Sequence, residues 1–199
     1  MKKQFIIAVS REFGSGGHDI AAALAQKFNL PLYGKNILEQ IARERGFSIE
    51  TLKSYDESPR NCFMSRRVKG FSNAPQDHVA QAEFDYLKAK AASGESFVVV
   101  GRCGDEVLKE HPGLIGIFVL ADIPFKKART MARNNVSEEG ALELMARTDR
   151  RRKNYHNQYC RGKWGDCRNY DLCINSGKLG VEETAEYLAR YIQARVECM

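Results

Sequence analysis

Residues 4–10, QFIIAVS, form a short apolar run rich in β-branched side chains, and a glycine cluster follows: Gly14, Gly16 and Gly17. Residues 19–28 then place Ile20, Leu24 and Phe28 at spacings of four, the pattern of an amphipathic helix. A buried strand, a glycine-rich turn and a helix, in that order, leave few folds open. The glycines let the backbone wrap an anion, so that N–H groups point inward at the positive end of the helix dipole. A purely structural strand-to-helix turn uses the same residues, and the loop alone leaves both readings open.

The rest of the chain repeats the alternation. Strands are expected at residues 30–33, 97–100 (FVVV), 114–121 and 170–175 (YDLCIN). Helices are expected from Asn36 through Ile37, Leu38 and Ile41, over residues 79–92, from Pro124 through Ala128 and Met131, from Ser137 to about Tyr159, and over residues 182–196. Residues 54–77 hold Pro59 and Pro75 and little periodicity, and read as an irregular, mobile insertion. Strands alternating with helices imply a parallel sheet covered on both faces, in a single domain of 199 residues.

A 43% hydrophobic fraction suffices for a packed core. No apolar run approaches the ~20 residues that span a bilayer, and no signal peptide precedes the first strand. The expected location is the cytoplasm, with no membrane partner. The six cysteines lack CxxC spacing and are expected as free thiols. His156, Cys160, Cys167 and Cys173 are loosely spaced for a zinc site, with Cys173 inside an expected strand. Net charge is +6, with the excess clustered at residues 147–153, which suits a polyanionic partner.

The loop departs from G-x-x-x-x-G-K-[ST]: Gly17 stands where the lysine belongs, His18 follows, and Asp19 replaces a threonine. Arg11 at the loop entrance and His18 at the helix start are the nearby basic substitutes. Arg11 is always charged, whereas His18 is neutral near pH 7 unless a phosphate raises its pKa; helix capping serves His18 equally well. On the basic helix Arg147 and Arg151 share one face, and Asp149 and Arg152 share another. One face can meet phosphate while the other stays in water; a solvated charge run is the bland alternative. Arg102 follows FVVV-Gly101 at the carboxyl end of a strand, where ligands bind in open α/β sheets. Gln81 and Glu83 could face a ligand pocket, with ordinary surface positions the plainer reading of both, and Asp105 and Glu106 read as a helix start.

The blocks AVSREFGSGGHDIAAALAQKFNLPLYGKNIL, VVVGRCGDEVL and DRRRKNYHNQY, then WGD and NYDLCINSGKLG, resemble the cytidylate kinase-like family across the whole chain. The family is a branch of the P-loop nucleoside monophosphate kinases and carries GSGG rather than GSGK. The resemblance implies a P-loop NTPase α/β/α fold with a five-stranded parallel sheet, an acceptor-binding insertion at about residues 34–93, and a basic lid at about 137–168. It implies ATP and Mg²⁺, with Phe13, Gly14, Ser15, Gly16, Gly17, His18 and Asp19 around the ATP phosphates. Ser15 and Asp19 are the candidates to reach Mg²⁺. Arg11, His18, Arg147, Arg151 and Arg152 would supply catalytic charge, and Arg102, Asp149 and Arg152 would hold the acceptor. Trp164, Gly165, Asp166, Asn169, Tyr170 and Asp171 would anchor the lid or the ATP side, although turn chemistry explains Gly165 and Asp166 as well. Arg102 matches the arginine of an Asp-Gly-Arg-Asp motif whose aspartates are Val100 and Cys103 here, which puts CMP specificity in doubt. Two other functions stay open: a silent nucleotide-binding protein, and a basic nucleic-acid module, for which no aromatic platform or recognition helix is visible. Oligomeric state is left open.

Overall fold

The computed structural model describes residues 3–45, 48–54, 67–68, 71–72 and 74–199. Five strands form one sheet: β1 (Ile6–Arg11), β2 (Leu32–Tyr33), β5 (Phe97–Val100), β6 (Leu114–Leu120) and β7 (Leu172–Asn175). Their order is β2-β5-β1-β6-β7, with every neighbouring pair parallel. β1 lies at the centre, pairing Ile6 with Phe97 on one side and with Leu114 on the other.

Alternation along the strands builds two cores. Ile6, Ala8, Phe97 and Val99 face Ile37, Leu38 and Ile41 of α2 (Ile37–Arg45) and Tyr86 and Leu87 of α4 (Pro75–Ala92). Ile7, Val9, Val98 and Val100 face Ile20 and Leu24 of α1 (Gly17–Phe28), and Leu188 and Ile192 of α8 (Ser176–Glu197). Both faces being buried is why the strands read as unbroken apolar runs rather than alternating ones. The remaining helices are α3 (Ile49–Ser54), α5 (Gly104–Val107), α6 (Ile123–Asn134) and α7 (Glu138–Tyr159). The Ser137 hydroxyl caps α7 by accepting the Gly140 N–H.

Three features differ from the sequence reading. Helix α4 starts at Pro75, because a proline in the first helical turn has no N–H to lose. Within the stretch read as irregular, Arg67–Val68 (β3) and Phe71–Ser72 (β4) pair antiparallel; Pro59 and most of that stretch lie outside the described residues. Helix α8 begins at Ser176, with a break at Gly180 (φ 80°) that separates its first turn from the expected helix. No helix among the described residues is long and apolar enough to cross a membrane.

Candidate active site at the carboxyl ends of the strands

The glycine loop leaves β1 at Arg11 and enters α1 at Gly17. Gly14 (φ 80°) and Gly16 (φ 79°) adopt the left-handed conformation that side chains resist. Gly17 needs its missing side chain for another reason: a Cβ there would meet the Cβ of Arg11 at 2.6 Å. The stem of Arg11 therefore lies beside the position of the usual lysine.

The loop opens on a cavity of about 570 Å³ lined by Arg11, Phe13, Gly14, Gly16, Gly17 and His18, with the ends of β2 and β5 opposite. Arg102, Arg129, Arg133, Arg152 and Lys35 bring further cationic side chains to its wall. Ser15 and Asp19 have other engagements. The buried Ser15 hydroxyl donates to Glu12 O at 2.9 Å, and the Asp19 carboxylate pairs with Arg129 and, at 3.1 Å, with Arg133. Partial desolvation, then the Arg11 guanidinium, hold the His18 pKa below its ordinary value, so its imidazole is neutral near pH 7.

Of the two faces of α7, the structure brings Asp149 and Arg152 to the loop. Asp149 Oδ1 accepts the Phe13 N–H at 2.6 Å, and the Arg152 guanidinium lies 5.7 Å from the centre of the Phe13 ring. Arg152 also donates to Arg11 O at 3.4 Å. Desolvation raises the Asp149 pKa, against the opposing Phe13 N–H. Arg147 and Arg151 are exposed on the other face and do not line the cavity.

Arg102 and Cys103 continue a left-handed turn begun by Gly101, with φ values of 57° and 52°. Two successive non-glycine residues in that region carry backbone strain, which surrounding contacts must hold in place. The contact for Arg102 is Glu83 of α4, whose Oε1 lies 2.9 Å from Nε, both side chains being 1% exposed. Tyr155 of α7 donates to the other Glu83 oxygen at 3.3 Å. Glu83 is thus no surface residue, as the sequence reading had it. A lone Glu inside an otherwise ordinary helix does not announce a buried partner 19 residues further along the chain.

The sequence reading placed α6 from Pro124 but took only its apolar Ala128 and Met131 and missed its cationic face. Lys126 pairs with Glu12 at 2.8 Å behind the loop, and Arg129 and Arg133, four apart, share the face toward α1. That spacing was the available signal. Thr130 is 2% exposed and lines the same cavity, and its Oγ1 has no hydrogen-bond partner among the described residues. Glycine N–H groups, an orphaned hydroxyl and clustered arginines fit a polyphosphate.

Beyond the loop, Trp164 and Tyr170 pack on Phe118, Asp166 caps a short 3₁₀ turn, and Asp171 Oδ2 accepts the Gly116 N–H at 2.7 Å. Gln81 is exposed. Among the described residues no group of three or more His, Cys, Asp or Glu is placed to hold a metal. His156 instead pairs with Asp105 at 2.8 Å, both side chains being buried. Burial alone would lower the His156 pKa, but the Asp105 carboxylate carries it up to about 10. A pKa raised on folding stabilises fully below the unfolded value of about 6.5 and is lost as pH rises toward 10. The stability gap between the parent protein and His156→Gln is expected to narrow over that range, measured by urea unfolding at each pH. A gap that stays constant or widens would remove the ion pair from the account.

A five-stranded parallel sheet with helices on both faces, and a glycine loop between β1 and α1, define a P-loop kinase fold. A shikimate kinase from Acinetobacter baumannii shares the fold with a TM-score of 0.53 at 14% identity, covering 98% of this chain and 96% of its own. Residues 6–178 match the cytidylate kinase-like family, and the chain belongs to it. A cytidylate kinase from Pyrococcus horikoshii is 27% identical over 183 residues, 91% of this chain and 84% of its own. The crystal structure of an uncharacterized protein from Eubacterium ventriosum is 38% identical with a TM-score of 0.77, covering 96% of this chain and 99% of that one.

Proposed function

We propose that the protein transfers the γ-phosphoryl group of ATP to a nucleoside monophosphate, CMP-like, or to a related small phosphorylated acceptor. The observation that carries this reading is convergence: a glycine loop and five arginines from β1, the β5–α5 turn, α6 and α7 meet at one cavity. Phosphoryl transfer asks a protein chiefly to align two polyanions and to neutralise the charge that spreads over the moving group. The N–H groups of residues 14–17 would cradle the ATP phosphates, with Arg11, Arg129 and Arg133 adding charge. Arg102 would receive the acceptor phosphate and Arg152, with Asp149 placing it, would close from α7 as the lid. Neutral His18 would contact phosphate as a hydrogen-bonding group, and Arg147 and Arg151 stay outside this machinery. Mg²⁺ would come with the nucleotide, shielding its phosphates, since Ser15 and Asp19 are turned to protein partners.

A second reading, a silent nucleotide-binding protein, draws on the Glu83–Arg102 pair, which already neutralises the acceptor arginine. A coupled assay of ADP release across the nucleoside monophosphates, with and without Mg²⁺, separates the two. Metal-dependent turnover with at least one acceptor is expected. ATP binding by calorimetry with no acceptor-dependent turnover would establish the silent protein instead.

A further inference from the structure

The inward face of α7 joins parts of the site that the chain itself keeps far apart. Asp149, Arg152, Tyr155 with His156, and Tyr159 recur every three or four residues and share that face. Asp149 accepts the Phe13 N–H at 2.6 Å and Arg152 donates to Arg11 O at 3.4 Å, so these two hold the glycine loop. Tyr155 donates to Glu83 Oε2 at 3.3 Å, and Glu83 Oε1 lies 2.9 Å from Arg102 Nε. His156 holds Asp105 of α5 at 2.8 Å, and Tyr159 donates to Asp77 of α4 at 2.6 Å.

We propose that Tyr155 is a positioning residue: through Glu83 it sets Arg102 in register with the glycine loop that the same helix holds at Asp149 and Arg152. The inference rests on the phosphotransfer reading, in which the loop carries the donor and Arg102 receives the acceptor. Helix α7 is continuous from Glu138 to Tyr159, so Asp149 and Tyr155 stay about 9 Å apart along its axis. A tilt or shift of the helix therefore moves the loop contacts and the Glu83 contact together. Glu83 is 0% and Tyr155 4% exposed, and close packing leaves little room to absorb such a shift before it reaches Arg102. Burial asks only that the phenol find some acceptor. Its bond to the carboxylate that already holds Arg102 is what links the two halves of the site.

In-line transfer tolerates little misalignment, since a displacement of ~1 Å costs on the order of 10²-fold in rate. Tyr155→Phe deletes the hydroxyl and keeps the ring, with its packing on Ala80 and Cys103 and its edge contact with Tyr159. The loop contacts of Asp149 and Arg152 are untouched, so ATP binding stays while the placement of the acceptor loosens. The acceptor's kcat/KM is expected to fall about tenfold, with the KM for ATP within about twofold of the parent value.

The test compares the whole parent protein with Tyr155→Phe in two measurements. Hydrogen exchange with and without saturating ATP and Mg²⁺ needs no acceptor. In the parent, ATP is expected to slow exchange at residues 11–18. It is also expected to slow, at least about fivefold, the Gly104, Glu106 and Val107 amides, whose bonds close the Arg102 turn. In Tyr155→Phe the loop keeps its protection and the turn loses it. Coupled kinetics with the best acceptor then check the split between acceptor and ATP parameters. Protection of the loop without the turn in the parent overturns the inference and leaves the phosphotransfer reading standing. No protection at either place removes that reading and the inference with it. A turn protected in Tyr155→Phe as in the parent, or acceptor and ATP parameters that worsen alike, makes the hydroxyl structural only. The parent's exchange pattern decides the matter even if the variant folds poorly.

Discussion

Arg102→Ala is expected to cost about 3–5 kcal/mol of folding stability, in addition to any loss of turnover. Arg102 and Glu83 are both 1% exposed, so removing the guanidinium leaves a carboxylate without its charge partner in the interior. Tyr155 still donates to Glu83, and the carboxyl can take up a proton, but neither restores the charge pairing. The turn itself adds to the effect, because left-handed backbone at positions 102 and 103 persists only while its side chains are held. Urea unfolding of Arg102→Ala, Glu83→Gln and the double variant Arg102→Met/Glu83→Gln checks the reasoning. The double variant should recover much of the loss, since two neutral groups carry no unpaired charge. If Arg102→Ala is as stable as the parent, the pair is not the clamp described here. A double variant no better than the single would put the loss down to backbone strain instead.

The same pair shows where sequence reading stops. The central strands β1, β5 and β6 were legible because each is a short apolar run buried on both faces, and residues 97–100 admit little else. The loop was legible because three glycines sit at one strand-to-helix junction. Asp149 and Arg152 were legible as one helix face, though periodicity alone does not say which face of α7 meets the loop. Glu83 was not legible, because what buries it is the position of Arg102 across the sheet end. Neither local pattern nor composition carries that. Lys126, Arg129 and Arg133 lay between these cases. Their spacing marks a face, but only the packing of α6 beside the loop, where a Cβ on Gly14 would meet Lys126 O at 2.8 Å, gives that face its meaning.

Arg11→Ala is expected to lower phosphoryl transfer by roughly 10²–10³-fold and to weaken ATP binding, with little change in fold. Arg11 is the last residue of β1, lines the cavity, and runs its stem through the space a side chain at position 17 would need. On the proposed function, Arg11 both leaves no room for a loop lysine at position 17 and would supply the charge that lysine would have carried. Gly17→Lys should therefore fail to improve the enzyme: its Cβ would lie 2.6 Å from the Cβ of Arg11, so the start of α1 must shift. The exchange Arg11→Gly/Gly17→Lys removes that collision and supplies one cation from the other side of the loop. It should exceed Gly17→Lys in turnover and in melting temperature. Kinetics with the best acceptor, and calorimetry with ATP alone, separate the effect on transfer from the effect on binding. Higher turnover in Gly17→Lys than in the parent would show that the space is open and that Arg11 does not stand in for the lysine. With the expected order, the glycine at 17 and the arginine at 11 are one device: the loop accepts a cation from the strand because it has no room for one from the helix.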